Sequence, residues 1–244
     1  MKKVKDLAKN LIESYKRRNM HGNVFSFQKK GRIIKFYLPV KKDWIQQQII
    51  VKNDFYELDL LKKVEKYVPK GTNILDIGSN IGNHIIYFSK ILGARKVYGF
   101  EPQKNVFEIL KKNIELNKLE RKTQIFNFGL GKEESSAKLD EIEKNNCGGN
   151  SIKKAKEGDL KIKVLDKLFI KDKINFIKID TEGFEKDVLL GAKKTIQKNN
   201  PVVWVEVDRN NKDFVNKYFT ELGYSKKKFL DKENWVFIPK NSQK

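Results

Sequence analysis

The sequence predicts an α/β fold, a doubly wound and mostly parallel seven-stranded sheet, preceded by a cap of a helix, a hairpin and further helices. Three observations carry that expectation. Short aliphatic runs alternate with helical patterns from residue 73 to residue 223, and such alternation builds right-handed crossover units on a parallel sheet. The first of these runs, NILDIG, passes into a glycine-containing turn and then a helical pattern. The 244 residues, 39% hydrophobic and 11% aromatic, can bury a core despite a charged fraction of 34%.

The elements follow in order. Val4, Leu7, Leu11, Ile12 and Tyr15 recur at helical spacing, so residues 3–18 read as an amphipathic helix. VFSFQ and RIIKFYLPV flank the turn KKG as a hairpin. WIQQQII and DFYELDLLKKVEKYV give a mostly helical stretch over 44–68, which closes a cap spanning 1–68. The sheet domain, 69–244, opens with the turn Pro69-Lys70-Gly71, the strand NILDIG and a helix from about Asn83 to Leu92. KVYGFE is a strand, KNVFEILKKNIELN a helix and TQIFNFGL a third strand. Residues 131–172 are polar, with short edge strands and a mobile loop whose flexible point is Gly148, Gly149, Asn150 and Ser151. KINFIKID is then a strand, FEKDVLLGAKKTIQKN one helix and PVVWVEVD a strand, before the helix NKDFVNKYFTELGY and the strands SKKKFL and NWVFIPK.

Composition narrows the class. The 52 Lys plus Arg against 31 Asp plus Glu give a formal charge of +21, which attracts polyanions. Only six of the cations are arginine, the preferred fork for phosphates and base edges, so a chain-wide lysine bias accounts better for the charge. The single cysteine, Cys147, excludes an internal disulfide and fits a reducing compartment. Two histidines and one cysteine cannot furnish a Cys/His zinc site. Neither a signal-peptide core nor a membrane-length apolar run is visible, so the expectation is a soluble cytoplasmic protein.

Two turns carry chemistry. In DIGSNIG, Gly78 and Gly82 permit close backbone approach to a ligand at the start of a helix. The middle glycine of the dinucleotide pattern G-x-G-x-x-G is missing, and no P-loop Lys-Ser or Lys-Thr follows. Glu101 ends the next strand, where a carboxylate can hold both ribose hydroxyls of a nucleoside. Together these features favour an adenosine cofactor without a pyrophosphate, namely S-adenosylmethionine. The second turn, in IKIDTEGFEKDVLLGA, crowds Asp180, Glu182 and Glu185 at the end of the fourth strand. Glu185 there reads as a helix-start carboxylate, and Asp180 as functional.

With these motifs in hand, the chain resembles the FkbM family of S-adenosylmethionine-dependent methyltransferases, which have the class I, Rossmann-like fold. ILDIGSNIGNH stands in the place of the first cofactor motif, VYGFEPQ in that of the second, and IKIDTEGFEKDVLLGA followed by PVVWVE in that of the most distinctive segment; FYELDLL and VLDKL match further positions. The likeness covers about residues 50 to 208, with Ser79 where many relatives have Ala and Thr181 where many have Val. It implies that Asp76, Gly78, Ser79, Asn80 and Gly82 shape the methionine pocket, that Glu101 holds the ribose, that Asn127, Phe128 or Leu130 border adenine, and that Glu57 faces the cofactor's amino group. It also implies the acceptor, a hydroxyl of a sugar, nucleotide-activated or part of a polysaccharide.

Methyl transfer to a hydroxyl needs in-line positioning, and a base adds roughly 10²–10⁴-fold. The candidates are Asp180, Glu182, Glu206 and His84. If Trp204, Glu206 and Asp208 alternate onto one strand face, then Asp180, Glu206 and Asp208 form an oxygen-rich candidate site for Mg²⁺ or Mn²⁺. Two readings compete with sugar O-methylation. An RNA or other nucleic-acid methyltransferase suits the charge, but enzymes that methylate base amino groups usually carry Asn or Asp followed by Pro-Pro and an aromatic where this chain has DTEG, and those acids oppose a phosphate backbone. A non-catalytic binding module for an anionic partner would use the lysines and bind no cofactor. The sequence does not set the oligomeric state.

Overall fold

A computed structural model describes residues 20–139, 152–155 and 157–240. The helix predicted over 3–18, the flexible point at 148–151 and Cys147 lie outside the described residues.

The first elements are β1 (Met20–His21), β2 (Val24–Lys29) and β3 (Arg32–Tyr37), an antiparallel three-stranded sheet. Lys29 pairs with Arg32 across Lys30 and Gly31, whose φ values of 46° and 71° make the tight two-residue hairpin turn. Two helices follow, α1 (Trp44–Lys52) and α2 (Leu58–Val64). Asp43 starts α1 by accepting from the Gln46 backbone N–H at 2.9 Å.

The central sheet has seven strands: β4 (Asn73–Ile77), β5 (Lys96–Phe100), β6 (Thr123–Phe126), β11 (Phe176–Ile179), β12 (Val202–Glu206), β13 (Tyr224–Phe229) and β14 (Asn234–Pro239). Their order is β13-β14-β12-β11-β4-β5-β6. Strand β14 is antiparallel to both β12 and β13, and the remaining pairs are parallel. All five residues of β4 and all four of β11 are buried, because helices cover both faces. The chain leaves β4 toward β5 and β6 and returns to β11 on the other side of β4. That reversal places a crevice at the carboxyl ends of β4 and β11.

Three predicted elements differ. The helix after β4 is α3 (Asn83–Ile86) continued by a π-helical turn, Tyr87–Ile91, closed by Leu92 N–H donating to the Tyr87 carbonyl. The wider turn brings Tyr87, Phe88 and Ser89 inward together, and all three are buried. TQIFNFGL divides between sheets. After β6 the chain leaves the central sheet, and β7 (Gly129–Leu130) pairs instead with β10 (Leu160–Lys163) in a second sheet of order β7-β10-β8-β9, with β8 (Ser135–Leu139) and β9 (Ile152–Ala155). FEKDVLLGAKKTIQKN forms two helices, α5 (Glu185–Gly191) and α6 (Lys193–Asn199). The first ends at Gly191, a poor helix former whose backbone passes so close to Gly131 that a Cβ would lie 2.0 Å from the Gly131 carbonyl oxygen. The other helices, α4 (Lys104–Leu116) and α7 (Lys212–Glu221), match their predicted segments.

The hairpin shares one apolar cluster with the central sheet. Phe25, Phe36 and Phe55 pack with Ile74, Val97 and Phe176. Among the described residues, no helix is long and apolar enough to cross a membrane.

Candidate active site

The glycine turn is held from both sides. Gly78 and Ser79 both donate backbone N–H groups to the Phe100 carbonyl, each at 3.0 Å, while Ser79 Oγ donates to the Asp76 carbonyl at 2.8 Å and accepts from Phe100 N–H. Gly78 sits at φ 81° with no room for a side chain: its Cβ would lie 1.7 Å from the Asp180 carbonyl oxygen. The turn at the end of β4 therefore touches the turn at the end of β11, which brings the two predicted motifs together.

A cleft opens above this contact and encloses about 830 Å³, part of it open to solvent. Gly78, Asn80 and Glu101 line one part, Glu57, Asp180, Glu182 and Glu206 another, and Phe100, Leu130 and Ile162 supply an apolar wall. Glu101 is buried and accepts from the Asn80 backbone N–H at 3.0 Å and the Gln103 backbone N–H at 2.8 Å. Burial outweighs those two bonds and pushes its carboxyl up to about 7.

Lys178 lies beneath the cleft floor. The β11 register sets it between Asp76 on β4 and Trp204 on β12. Its Nζ is 2.9 Å from Asp180 Oδ2, 3.7 Å from Asp76 Oδ1 and 5.9 Å from the Trp204 ring centroid. Burial would discharge this lysine, but Asp180 and Asp76 outweigh burial and hold it above the usual lysine range. Burial likewise opposes ionisation of Asp180, and Lys178 reverses the balance, so Asp180 stays below its ordinary value. Glu206 moves the other way, up to about 10, chiefly because the Asp180 charge is beside it and secondarily by burial. The pair thus retains a single proton at neutral pH, as closely spaced carboxyls do.

The remaining predicted residues fall around this centre. Asp76, Ser79, Gly82 and His84 form the supporting layer and are absent from the cleft wall. His84 Nε2 is 3.5 Å from Glu57 Oε2, and its ring meets Trp204 edge-on at 5.3 Å. Asn127 is exposed and donates to the Glu101 and Pro102 carbonyls. Glu185 is buried and folds back to accept from Gly183 N–H at 2.8 Å and Asn211 Nδ2 at 2.7 Å, so it fixes the turn. Tyr56, Lys178 and Ile162, to which the sequence assigns no role, join the site; burial above all, and then the nearby Glu57, Glu206, Asp180 and Glu182, oppose ionisation of the Tyr56 hydroxyl.

The predicted metal site does not form. Strand β12 ends at Glu206, and Asp208 lies beyond it as an exposed cap accepting from Asn210 N–H at 2.8 Å. Asp180 is engaged by Lys178. Among the described residues no group of three or more His, Cys, Asp or Glu is arranged to hold a metal ion, so Asp180, Glu206 and Asp208 do not make a Mg²⁺ or Mn²⁺ donor set.

A seven-stranded sheet with a single reversed strand, and a cleft at the switch point, define a class I, Rossmann-like methyltransferase fold. Residues 76–226 match the methyltransferase FkbM domain, and the chain belongs to that family. It is 24% identical over 148 residues to Methyltransferase 1 of Beauveria bassiana, covering 50% of this chain and 59% of that protein. The FkbM methyltransferase structure from Methylobacillus flagellatus superposes with a TM-score of 0.50 at 13% identity, over 93% of this chain and 58% of that one. A Methanococcus maripaludis protein described as an S-adenosyl-L-methionine-dependent methyltransferase gives a TM-score of 0.50 at 14% identity, over 84% and 96%. These structural likenesses bear on the fold, and the chain spans under two thirds of the first two proteins.

Proposed function

We propose that this chain is an S-adenosylmethionine-dependent O-methyltransferase acting on a sugar hydroxyl. The observation that carries the reading is the charge of the cleft. In a chain of net charge +21, the lining holds five carboxyl side chains, from Glu57, Glu101, Asp180, Glu182 and Glu206, and no lysine or arginine. Such a wall suits a cationic cofactor and an uncharged polyhydroxylated acceptor, and it repels a phosphodiester.

The donor set fits the cofactor. Glu101 can accept from ribose hydroxyls at the end of β5, and Glu57 and Asp180, which line the same cleft, would offer carboxylates to the cationic end. When bound, S-adenosylmethionine supplies a sulfonium-activated methyl group. The chain's own residues then position the acceptor: Glu182, Glu206 and the Tyr56 hydroxyl line the wall where a sugar could hydrogen-bond. Asp180, the ionised member of its carboxyl pair, is the group available to receive the acceptor's proton as the oxygen–methyl bond forms. A nucleotide-activated acceptor would keep its diphosphate outside the acidic wall, toward surface lysines.

The test is methyl transfer from labelled S-adenosylmethionine to a panel of nucleotide-sugars, polysaccharide units and RNA, with Asp180→Asn alongside. Sugar labelling that falls by about 10²-fold or more in the variant is expected. Labelling of RNA alone, or a variant as fast as the parent, would sink the reading.

A further inference from the structure

The residue after Gly82 makes a pair of bonds to a single distant residue. Asn83 is 3% exposed and opens α3, yet its carboxamide does not cap that helix. Its Oδ1 accepts from the Tyr56 backbone N–H at 3.0 Å, and its Nδ2 donates to the Tyr56 carbonyl at 3.0 Å. Both polar atoms of the side chain therefore serve one peptide residue 27 positions earlier, as one strand would serve another. Only a carboxamide of this reach offers one donor and one acceptor side by side.

We propose that Asn83 is a positioning residue that clamps the Tyr56–Glu57 segment as a wall of the cofactor cleft and ties the N-terminal segment to the glycine turn. The inference rests on the cofactor reading above. Four features support it. Tyr56 and Glu57 both line the cleft. The next residue, His84, contacts Glu57 at 3.5 Å, so consecutive residues of α3 hold consecutive residues of the wall. Glu57 has φ 55° and its carbonyl accepts from Leu61 N–H, so the clamped peptide sets where α2 begins. On the other side of the turn, Asn113 Nδ2 donates to the Ile81 carbonyl at 2.8 Å while its Oδ1 accepts from Tyr37 N–H of the hairpin. The turn from Ile81 to Asn83 is thus bonded at one end to the hairpin side, through Asn113, and at the other to the Tyr56 peptide, through its own Asn83.

Asn117 provides the control, since it staples the hairpin to the same core away from the cleft, accepting from Lys35 N–H and donating to the Lys35 carbonyl. The experiment measures binding of S-adenosylhomocysteine by calorimetry, and melting temperature, for the parent, Asn83→Ala and Asn117→Ala. Both variants should melt lower, whereas only Asn83→Ala should weaken binding, by about tenfold. Equal weakening in both, or parental affinity in Asn83→Ala, overturns the clamp. Should Asn83→Ala fail to fold, amide exchange in the parent decides: added S-adenosylhomocysteine should slow exchange at Tyr56 by about tenfold, and an unchanged rate overturns the proposal. A parent that binds no S-adenosylhomocysteine removes the cofactor reading itself, and the clamp's role falls with it.

Discussion

Lys178 in β11 and Asp180 just past the strand's end form an ion pair at 2.9 Å in which the lysine side chain is only 2% exposed. The register of β11 with β4 adds Asp76 at 3.7 Å. One buried cation thus faces two buried or half-buried carboxylates, with Glu206 and Glu57 also close enough to matter. The site consequently keeps a negative balance without losing the charge on its lysine, and Asp180 remains ionised while Glu206 carries the proton.

Replacing Lys178 should expose how much of the fold depends on that cation. Lys178→Met leaves Asp76 and Asp180 without their counter-charge, and breaking a buried pair from one side costs about 3–5 kcal/mol. Urea denaturation at neutral pH measures it. Stability equal to the parent would mean that the two aspartates are already neutral in the native protein.

Glu206 gives an alkaline signature. Its native carboxyl is raised to about 10, so between its ordinary value near 4.5 and about 10 the unfolded chain binds fewer protons than the folded one. Its contribution to stability is complete at the acid end of that window and is lost as pH rises through it. Glu206→Gln imitates the protonated side chain and does not titrate. Relative to the parent, its melting temperature should therefore climb as pH increases from 6 to 9. A constant difference across that range would show that Glu206 is ionised at neutral pH.

What the sequence conveyed about this site follows from how local the signals are. Gly78 and Glu101 were readable because each marks the end of a buried strand, and strand ends meet ligands in an open α/β sheet. Lys178 was hidden by the lysine-rich composition, although a lysine between two isoleucines in a strand buried on both sides was a usable signal. Asp208 leaves the face that strand alternation predicts for it because β12 and its pairing with β14 end at Glu206. The break in TQIFNFGL depends on β10, some thirty residues on, and no feature of that apolar run announces it. Tyr56 reaches the cleft through Asn83, a contact between segments 27 positions apart.

Cofactor affinity should depend on pH through Glu101. Its carboxyl is raised to about 7 by burial, and in the proposed role the ionised form is the one that would accept hydrogen bonds from two ribose hydroxyls. Affinity for S-adenosylhomocysteine should rise with pH up to about 7.5, then level off, with a slope approaching tenfold per unit at the acid end. Glu101→Gln should bind more weakly and lose this slope. Calorimetry between pH 5.5 and 8.5 decides it, and a parent with no pH dependence would place the ribose elsewhere.

The closeness of the turns that end β4 and β11 yields a last prediction, a contrast between two glycines of similar backbone geometry. Gly78 has φ 81° and Gly31 has φ 71°, so alanine strains either position by roughly 1–2 kcal/mol. At Gly31 nothing lies within 4 Å of the added carbon, and Gly31→Ala should cost little more than that strain. At Gly78 the same methyl would fall 1.7 Å from the Asp180 carbonyl oxygen, which belongs to backbone and cannot rotate away. Accommodating it means separating the ends of β4 and β11, whose Ile77 carbonyl accepts from Asp180 N–H at 3.0 Å. Gly78→Ala should thus destabilise by several kcal/mol more than Gly31→Ala, or, where it folds, bind S-adenosylhomocysteine far more weakly. Thermal denaturation of both variants tests this, and equal losses would mean that the two turns are free to move apart.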